Sequence, residues 1–356
     1  MKKMYIVLED GHIFEGKGFG ASGETVGELV FTTGMVGYIE TLTDPSYYGQ
    51  IVMHTFPLIG NYGMITEDME SDASCIKGYV VRDCCDTPSN FRCEGQLEDF
   101  LKKSGIISVC DVDTREITKI IREQGVMNAC ITDDPSKVDL EALKAYKIVD
   151  AVKSVSTHET KEYKAENEKY KVALLDYGAK MNIVRELLQR GCSVYVLPYD
   201  TKAEDVLALD IDGIMLSNGP GDPAENVGPI AEIKKMLGKK PIFGICLGHQ
   251  LTAIAAGGKT EKLKYGHRGA NQPVKRLEDG RVFVTSQNHG YAVIGSSIDE
   301  KIGKVSFINA NDGTCEGVEY PEYNAYTVQF HPEACAGPID TEFLFDRFVT
   351  MMGGDK

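Results

Sequence analysis

The sequence predicts an α/β fold, with a small N-terminal α+β domain followed by a domain built on a mostly parallel sheet. Two observations support this prediction. After residue 170, apolar strand-like runs alternate with helical segments, which is typical of a parallel sheet covered on both faces. Before residue 150, strand-like and helical segments are mixed without that alternation. The length of 356 residues is sufficient for two domains.

The predicted organisation is a first domain over residues 1–150, a linker over residues 151–169 and a second domain over residues 170–356. Residues 152–169 are almost entirely polar, with charges of both signs and no apolar period. Such a segment has no apolar face to bury, so we expect a surface linker.

In the first domain, Asp10-Gly11 separates two strand-like runs and predicts a hairpin. Asp113 is a good N-cap residue, and Ile117, Ile120 and Ile121 after it share one face of a helix. The predicted elements are strands at residues 5–8, 12–15, 28–33 and 78–81, and helices at residues 96–103 and from residue 113.

In the second domain, strand-like runs alternate with helix-like runs, one of which ends at the stop signal Gly191. Thr201 and Glu204 have capping-box spacing and predict the start of a helix. The predicted strands are residues 171–176, 193–197, 213–217 and 241–244, and the other predicted helices are residues 182–190, 227–237 and 247–256. Ligands of such sheets lie beyond the carboxyl ends of the strands, so functional residues are expected there.

Composition excludes several classes of function. A formal net charge of −15 argues against nucleic-acid binding, because no broad face could neutralise phosphates. No run approaches the roughly 20 apolar residues that span a bilayer. The first residues indicate a strand and a turn rather than an export signal, so a reducing cytoplasm is expected. The ten cysteines are scattered, and the local group of Cys75, Cys84, Cys85 and Cys93 has no zinc-type spacing.

The segment Gly244-Ile245-Cys246-Leu247-Gly248 joins a predicted strand to a predicted helix. It has the pattern of a nucleophile elbow with cysteine in place of serine. The flanking glycines allow a sharp turn, and the turn places the sulfur at a helix N-terminus, where the helix dipole favours thiolate. The competing interpretation is an ordinary buried cysteine, and a base is needed to decide between them.

His331-Pro332-Glu333 follows a strand-like run over residues 326–330 and supplies a candidate base. Residues two apart in an extended chain project to the same side, so Glu333 could orient His331, which would take the thiol proton. A single histidine is more often structural than catalytic. His249 is expected to be structural, whereas His267 and His289 are candidates for a pocket wall.

Two further loops are predicted at strand ends. The stiff segment Asn218-Gly219-Pro220-Gly221-Asp222-Pro223 exposes backbone amides at close range. The segment Gln287-Asn288-His289-Gly290-Tyr291 follows a predicted strand over residues 282–285, and its glycine could let the backbone approach a substrate. Each of them could equally be a plain turn.

Taken together, these motifs resemble the class I, or triad, glutamine amidotransferase family. The first half is similar to the N-terminal domain of the carbamoyl-phosphate synthase small chain, and the resemblance runs from end to end. It is carried by Thr33-Gly34-Met35-Val36-Gly37-Tyr38, Leu42-Thr43-Asp44-Pro45-Ser46-Tyr47, Gly49-Gln50-Ile51, Cys110-Asp111-Val112-Asp113-Thr114-Arg115 and residues 285–293. One departure is Asn271-Gln272-Pro273, where we expect the family to have Asn-His-Pro.

The resemblance implies a glutaminase in which Cys246 forms a γ-glutamyl thioester, His331 transfers protons and Glu333 orients His331. It implies that the amides of Gly219 and Leu247 bind the oxyanion. The residues implied to hold the ends of L-glutamine are Gly221, Gln250, Asn288, Gly290 and Tyr291, together with Ser46 from the first half. No metal ligands are expected in this chain.

The resemblance also implies a partner, the large subunit, which uses ATP and bicarbonate to make carbamoyl phosphate for arginine or pyrimidine synthesis. Gly258-Lys259-Thr260 suggests a phosphate-binding loop, but Ala253 stands where its first glycine should be. The segment also ends a predicted helix, whereas such a loop opens one. No cofactor is therefore expected in this chain, and ATP with its metal is assigned to the partner.

Three alternatives stay open at this point. The chain could be a stand-alone cysteine hydrolase that cleaves a γ-glutamyl or peptide bond, or an amidotransferase of another pathway, which the first half argues against. It could also be a non-catalytic regulatory subunit that keeps the fold. The presence of Cys246, His331 and Glu333 together argues against this last alternative.

Overall fold

The computed structural model describes residues 2–353. The chain divides into two compact units, with the division between Ala151 and Val152. Residue 1 and residues 354–356, which belong to the predicted domains 1–150 and 170–356, lie outside the described residues.

Seven strands of the first unit form a closed barrel. The strands of this unit are β1 (Lys3–Leu8), β2 (Ile13–Gly20), β3 (Thr25–Thr32), β4 (Gln50–His54), β5 (Leu58–Ile59), β6 (Gly78–Val80), β7 (Asp83–Cys84), β8 (Ile107–Cys110) and β9 (Met127–Thr132). Its helices are α1 (Tyr38–Thr43), α2 (Leu97–Lys103), α3 (Thr114–Gln124) and α4 (Leu140–Ala145). The barrel order is β1-β2-β8-β6-β4-β3-β9, while β5 and β7 pair separately.

Local signals in the first unit are confirmed. β1 and β2 form the predicted antiparallel hairpin, with Val7 paired to Ile13 and Gly11 at φ 94° in the turn. The carboxylate of Asp113 accepts a hydrogen bond from the amide of Glu116, and the isoleucine face of α3 is buried. Closure of the barrel depends on the pairing of β1 with β9, about 120 residues apart, which no local signal predicts.

Within the described residues from 151 to 353, the second unit has ten strands and six α-helices, the first of which begins at the division between the units. The strands are β10 (Lys161–Tyr163), β11 (Tyr170–Asp176), β12 (Cys192–Pro198), β13 (Gly213–Leu216), β14 (Ile242–Ile245), β15 (Thr260–Arg276), β16 (Val282–Val293), β17 (Lys304–Asn309), β18 (Cys315–Tyr320) and β19 (Ala325–Val328). The helices are α5 (Ala151–Val155), α6 (Met181–Gln189), α7 (Ala203–Ala208), α8 (Val227–Met236), α9 (Leu247–Ala255) and α10 (Phe343–Gly353).

The ten strands form one sheet in the order β10-β12-β11-β13-β14-β19-β18-β16-β15-β17. The five strands from β12 to β19 in that order are parallel, as the strand-helix alternation predicts. Apolar clusters cover both faces, one including Leu175, Leu216 and Leu251, the other including Phe243 and Phe345. The carboxyl ends of the parallel strands therefore form one edge at which side chains from distant parts of the sequence meet.

The predicted linker of residues 151–169 is not a free surface segment. It forms α5 and then β10, which pairs antiparallel with β12 at the edge of the sheet. The amide of Thr157 donates to Asp176, and the amide of Ala165 donates to Ser193 Oγ at 3.1 Å. Its composition is polar because an edge strand exposes one face, and the backbone hydrogen bonds that hold it do not depend on side-chain polarity.

Two other local predictions are corrected. The capping box at Thr201 is absent: α7 begins at Ala203 without a side-chain cap, and the Thr201 hydroxyl donates to the carbonyl of Pro198. Residues 287–291 do not form a turn after a strand, because they lie inside the longer strand β16. Among the described residues, none of the helices is both long and apolar enough to span a bilayer.

Candidate active site

Cys246 lies between β14 and α9 in a strained backbone conformation, with φ 52° and ψ −102°. A non-glycine residue at positive φ is unfavourable and persists only where its surroundings fix it. Here the amide of Cys246 donates to the carbonyl of Val328 at 2.8 Å. A Cβ atom on Gly248 would lie 2.3 Å from the carbonyl oxygen of Leu216, and one on Gly244 would lie 2.9 Å from Thr327 Cγ2. The glycines are therefore required by close packing of the elbow.

His331 and Glu333 follow β19, which is the neighbour of β14 in the sheet. The distance between His331 Nδ1 and Glu333 Oε1 is 2.6 Å, and both side chains are buried. A carboxylate can only accept, so Nδ1 carries the proton that is donated to Glu333. The other nitrogen, Nε2, makes no hydrogen bond within the described part of the chain. The Cys246 thiol lies close enough to His331 to raise its pKa.

Lys180 is a third buried charged residue at this site, and it belongs to none of the motifs that predicted the site. Its Nζ lies 3.3 Å from His331 Nδ1 and 3.5 Å from Glu333 Oε1. Its amide donates to Asn218 Oδ1, which ties the start of α6 to the loop after β13. The available signal was its position just after β11, at the same carboxyl edge as the other site residues.

The charges of the site perturb one another. Burial and the charge of Lys180 lower the pKa of His331, but Glu333 and Cys246 outweigh them and raise it to about 9. Burial raises the pKa of Glu333, but His331 and Lys180 lower it to about 2. At neutral pH the site therefore contains an imidazolium between a sulfur and a carboxylate. This arrangement can hold the proton that a thiol loses.

The loop after β13 places Gly219 beside the elbow. A Cβ atom on Gly219 would lie 2.2 Å from the carbonyl oxygen of Tyr177 and 2.8 Å from Leu247 Cδ2. Among the described residues, neither the amide of Gly219 nor that of Leu247 donates to a backbone carbonyl. Gly221 in the same loop has φ 89°. Two backbone donors are thus available next to Cys246, as an oxyanion would require.

The remaining predicted site residues of this unit lie on α9 and β16. Gln250 Nε2 donates to the carbonyl of Tyr291 at 2.8 Å and to Gln329 Oε1 at 2.9 Å. The carbonyl oxygen of Asn288 lies 3.8 Å from Cys246 Sγ. Gly290 lies between Asn288 and Tyr291 on β16. The structure therefore places Asn288, Gly290 and Tyr291 on one strand that passes the nucleophile, and Gln250 of α9 is hydrogen-bonded to that strand.

Ser46 lies in the first unit, in a short 3-10 turn over Pro45–Tyr47. It is buried, and its amide donates to Asp44 Oδ1 at 2.8 Å. The turn is fixed by this contact and by the proline at its start.

The other histidines of the second unit divide into two environments. His249 is fully buried on α9, its Nδ1 lies 2.7 Å from Thr327 Oγ1, and burial lowers its pKa to about 3. His267, His289 and Glu316 each place one possible metal-ligand atom within 4.8 Å of the others. However, the Asn309 amide contacts both His267 Nδ1 (3.5 Å) and Glu316 Oε1 (3.2 Å), so these atoms already have a hydrogen-bond partner.

Comparisons with known proteins agree with this organisation. The family model for the carbamoyl-phosphate synthase small chain, CPSase domain, matches residues 6–131, and that for glutamine amidotransferase class-I matches residues 173–351. The chain is 51% identical to the carbamoyl phosphate synthase small chain of Clostridium perfringens, over 98% of this chain and 99% of that one. It is 49% identical to that of Listeria monocytogenes, over 100% and 98%.

A small chain from Fusobacterium nucleatum is also 49% identical, over 98% of both chains. Among solved structures, that of a GMP synthase protein from Thermoplasma acidophilum matches 52% of this chain and 94% of its own, at 22% identity and a TM-score of 0.46. That likeness is too weak to support an assignment, which depends on the relatives above. By end-to-end similarity at about half identity, the chain belongs to the carbamoyl-phosphate synthase small-chain family and carries a class-I glutamine amidotransferase domain.

Proposed function

We propose that this chain is a glutaminase that hydrolyses L-glutamine through a Cys246 thioester and delivers ammonia to a large ATP-using subunit. That partner would make carbamoyl phosphate from bicarbonate. The observation that carries the proposal is the buried His331–Glu333 pair beside a cysteine in an elbow conformation. A structural cysteine has no need of strained backbone or of a charge-balanced histidine.

In the first step, Cys246 thiolate attacks the side-chain amide carbon of glutamine, and the carbonyl electron pair moves to oxygen. The amides of Gly219 and Leu247 stabilise that oxyanion. When the intermediate collapses, the carbon–nitrogen bond breaks and His331 transfers its proton to the leaving nitrogen, which departs as ammonia. The raised pKa of His331, about 9, means that this proton is present at neutral pH.

In the second step, water hydrolyses the thioester. Neutral His331 takes a proton from water, the oxygen attacks the thioester carbon, and the carbon–sulfur bond breaks to give glutamate and the starting thiolate–imidazolium pair. Glu333 holds Nδ1 protonated throughout, so that Nε2 faces the reacting atoms. Lys180 balances the charge of Glu333.

The two ends of the amino acid would be held by Gly221, Gln250, Asn288, Gly290, Tyr291 and Ser46. Support for the residues on β16 comes from the contact between the Asn288 carbonyl and Cys246, and support for Gln250 comes from its hydrogen bond to Tyr291 on that strand. Support for Ser46 comes only from its match to the family motif.

The partner is inferred from the names of the relatives, each of which is a carbamoyl phosphate synthase small chain. We assign ATP and its metal to the large subunit. Ammonia that escaped into neutral water would mostly become ammonium and lose its nucleophilicity, so transfer within the complex is chemically sensible.

The test is Cys246→Ser in the full chain reconstituted with its candidate large subunit. We expect glutamine-dependent synthesis to be lost and ammonia-dependent synthesis to be retained. The matched control is Cys192→Ser, which changes another fully buried cysteine of the same unit, on β12, and should leave glutamine hydrolysis intact. Normal glutamine hydrolysis by Cys246→Ser would disprove the assignment of the nucleophile. Glutamine hydrolysis with no dependence on the large subunit would favour a stand-alone hydrolase.

A further inference from the structure

Glu316 on β18 is a fully buried carboxyl group that takes no part in the chemistry described above. Burying a carboxyl group is unfavourable unless hydrogen bonds satisfy it. Its Oε2 lies 3.0 Å from Gln287 Nε2, and its Oε1 lies 3.2 Å from Asn309 Nδ2 and 3.4 Å from His267 Nδ1. Glu316 thus has several partners, and one of them leads toward the glutamine site.

From Glu316, hydrogen bonds form a closed ring. Gln287 Oε1 lies 3.1 Å from His289 Nε2, and His289 Nδ1 lies 2.7 Å from the Tyr291 carbonyl oxygen. That oxygen also accepts from Gln250, whose amide reaches Gln329 at 2.9 Å. The backbone amide of Gln329 donates to the backbone carbonyl of Glu316 at 2.9 Å, and this bond closes the ring. The members of this Glu316 ring are Glu316, Gln287, His289, Tyr291, Gln250 and Gln329.

We propose that Glu316 is a positioning residue for glutamine, and that it acts by donating a hydrogen bond that locks the Glu316 ring. This inference rests on the proposed function, because Gln250 and Tyr291 are ring members assigned there to the substrate. Asn288 and Gly290 lie between ring members on β16, so movement of the ring would displace them as well.

The positions of the protons in the ring indicate that Glu316 is the donor in its hydrogen bond with Gln287. The Tyr291 carbonyl can only accept, so His289 Nδ1 carries a proton. A neutral His289 then accepts at Nε2, although Gln287 Oε1 is the atom drawn next to it. The Gln287 amide must therefore be flipped, with its NH₂ group toward His289 and its oxygen toward Glu316, an exchange that leaves the positions of the heavy atoms almost unchanged. Two acceptor oxygens face each other there unless Glu316 is protonated. The hydroxyl of Thr285 lies 3.2 Å from the same amide and 2.9 Å from the carbonyl of Gln272, so in this orientation its one proton is shared between two acceptor oxygens.

The electrostatics agree with a neutral ring. Burial, together with the charge of His267, lowers the pKa of His289 well below its usual range. Burial raises the pKa of Glu316, and the hydrogen bonds from His267 and Asn309 only partly oppose this. His267 also pairs with Asp312, 2.8 Å from its Nε2, so its charge has a second counter-ion.

The experiment compares Glu316→Ala with Glu316→Gln in the full chain reconstituted with the large subunit. Glutamine at 316 presents an NH₂ group where a protonated carboxyl presents its O–H, so it should keep the ring. We expect Glu316→Ala to raise the KM for glutamine about 10-fold with kcat changed less than about 3-fold, since one hydrogen bond in a buried site is worth about one power of ten. Glu316→Gln should stay within about 3-fold of the wild type in both constants.

Two further variants guard against a general loss of structure. Gln287→Met conserves volume and breaks the ring at another member, so it should raise KM in the same way even if Glu316→Ala does not fold. Glu232→Ala removes another buried carboxylate of the same unit, one that accepts from the Ala203 amide. It should lower the melting temperature without changing KM.

A binding readout separates this proposal from the proposed function. Glutamine should protect Cys246 of the wild type from alkylation by iodoacetamide, and Glu316→Ala should need about 10-fold more glutamine for the same protection. If glutamine protects the wild type and Glu316→Ala equally, the positioning role is wrong and the glutaminase assignment survives. A Glu316→Gln variant as impaired as Glu316→Ala would show that a charged carboxylate is needed, against the donor role. A wild type that glutamine does not protect would overturn both proposals.

Discussion

Glu333 accepts a hydrogen bond from His331 at 2.6 Å, although Pro332 is the only residue between them. The pairing is local in sequence, and the chain on both sides is anchored: the His331 amide donates to the carbonyl of Ser286, and β19 precedes it in the sheet. The orientation of His331 relative to Glu333 is therefore fixed by the local chain. Their partner Cys246 comes from the neighbouring strand β14, so the sheet register sets the distance between nucleophile and base.

The raised pKa of His331 predicts an alkaline limit to glutamine hydrolysis. His331 is an imidazolium below about pH 9 and loses its proton above it, and the leaving ammonia then lacks a proton donor. We expect kcat/KM to fall above pH 9. In Glu333→Gln the limit should move to lower pH, because Glu333 raises the pKa of His331. A flat profile to pH 10 would contradict the assignment of His331 as general acid.

Removing the charge of Lys180 should shift the alkaline limit of kcat/KM in the direction opposite to that expected for Glu333→Gln. Its charge lowers the pKa of His331, so Lys180→Met should move the alkaline limit to higher pH. The same substitution should raise the pKa of Glu333 above about 2, because the positive charge of Lys180, which lowers that pKa, is lost. The measurement is the pH dependence of kcat/KM, with Lys235→Met as a control for loss of a lysine that pairs with a carboxylate away from the site. An unchanged limit would show that Lys180 has only a structural role.

Because the backbone at Cys246 is strained, we expect a glycine variant at this position to be more stable than an alanine variant. Both Cys246→Ala and Cys246→Gly remove the sulfur, but only glycine adopts φ 52°, ψ −102° without strain. Strain of about 1–3 kcal/mol exceeds the entropic cost of about 0.5–1 kcal/mol for glycine. We expect Cys246→Gly to be more stable than Cys246→Ala by about 1 kcal/mol in urea unfolding. The reverse order would mean that the turn relaxes when the sulfur is removed.

Gly219 should tolerate no side chain. In Gly219→Ala the new Cβ would lie 2.2 Å from the carbonyl oxygen of Tyr177, so the loop that carries the proposed oxyanion donor must move. We expect glutamine kcat/KM to fall at least about 100-fold, as for loss of an oxyanion donor. Gly228→Ala is the control: a Cβ there has no neighbour within 4 Å, and the residue lies on α8, where alanine favours the helix.

His54 in the first unit predicts acid sensitivity. It is fully buried beside Tyr79 on the barrel, and burial lowers its pKa to about 3. Between pH 6.5 and 3 the unfolded state takes up a proton that the folded state does not, so stability is complete above pH 6.5 and falls below it. We expect His54→Gln to reduce the loss in melting temperature of the first unit between about pH 7.5 and 5.5. An identical loss in wild type and variant would show that other groups control acid unfolding.

The sequence predicted the parallel core of the second unit because each strand, helix and stop signal is a local pattern. It predicted Cys246, His331 and Glu333 as a set because the elbow and the two-residue spacing are local as well. Their catalytic roles stay predictions. What the sequence could not supply was long-range pairing: the closure of the barrel by β1 and β9, the attachment of β10 to β12, and the extension of β16 through residues 282–293.

Lys180 illustrates the same limit inside the site. A lysine before a helix is usually solvated, and its position after β11 indicates only the edge of the sheet, not that it is buried against His331 and Glu333. Glu316 is a second example, since only the fold places β18 next to β16 and so brings Glu316 into contact with Gln287. Buried ionisable residues whose partners are far away in the chain are therefore the residues that local patterns fail to indicate.

The attachment of β10 to β12 determines where the chain can be divided. A fragment that begins at residue 170, where the apolar pattern starts, would lose β10 and leave the outer edge of β12 unpaired along residues 194–196, although β12 would stay paired with β11 on its other side. An open edge of this kind can pair with another copy of the same fragment, so such a fragment should aggregate. Expression of the second unit alone should therefore begin at residue 152, eighteen residues earlier than composition suggests.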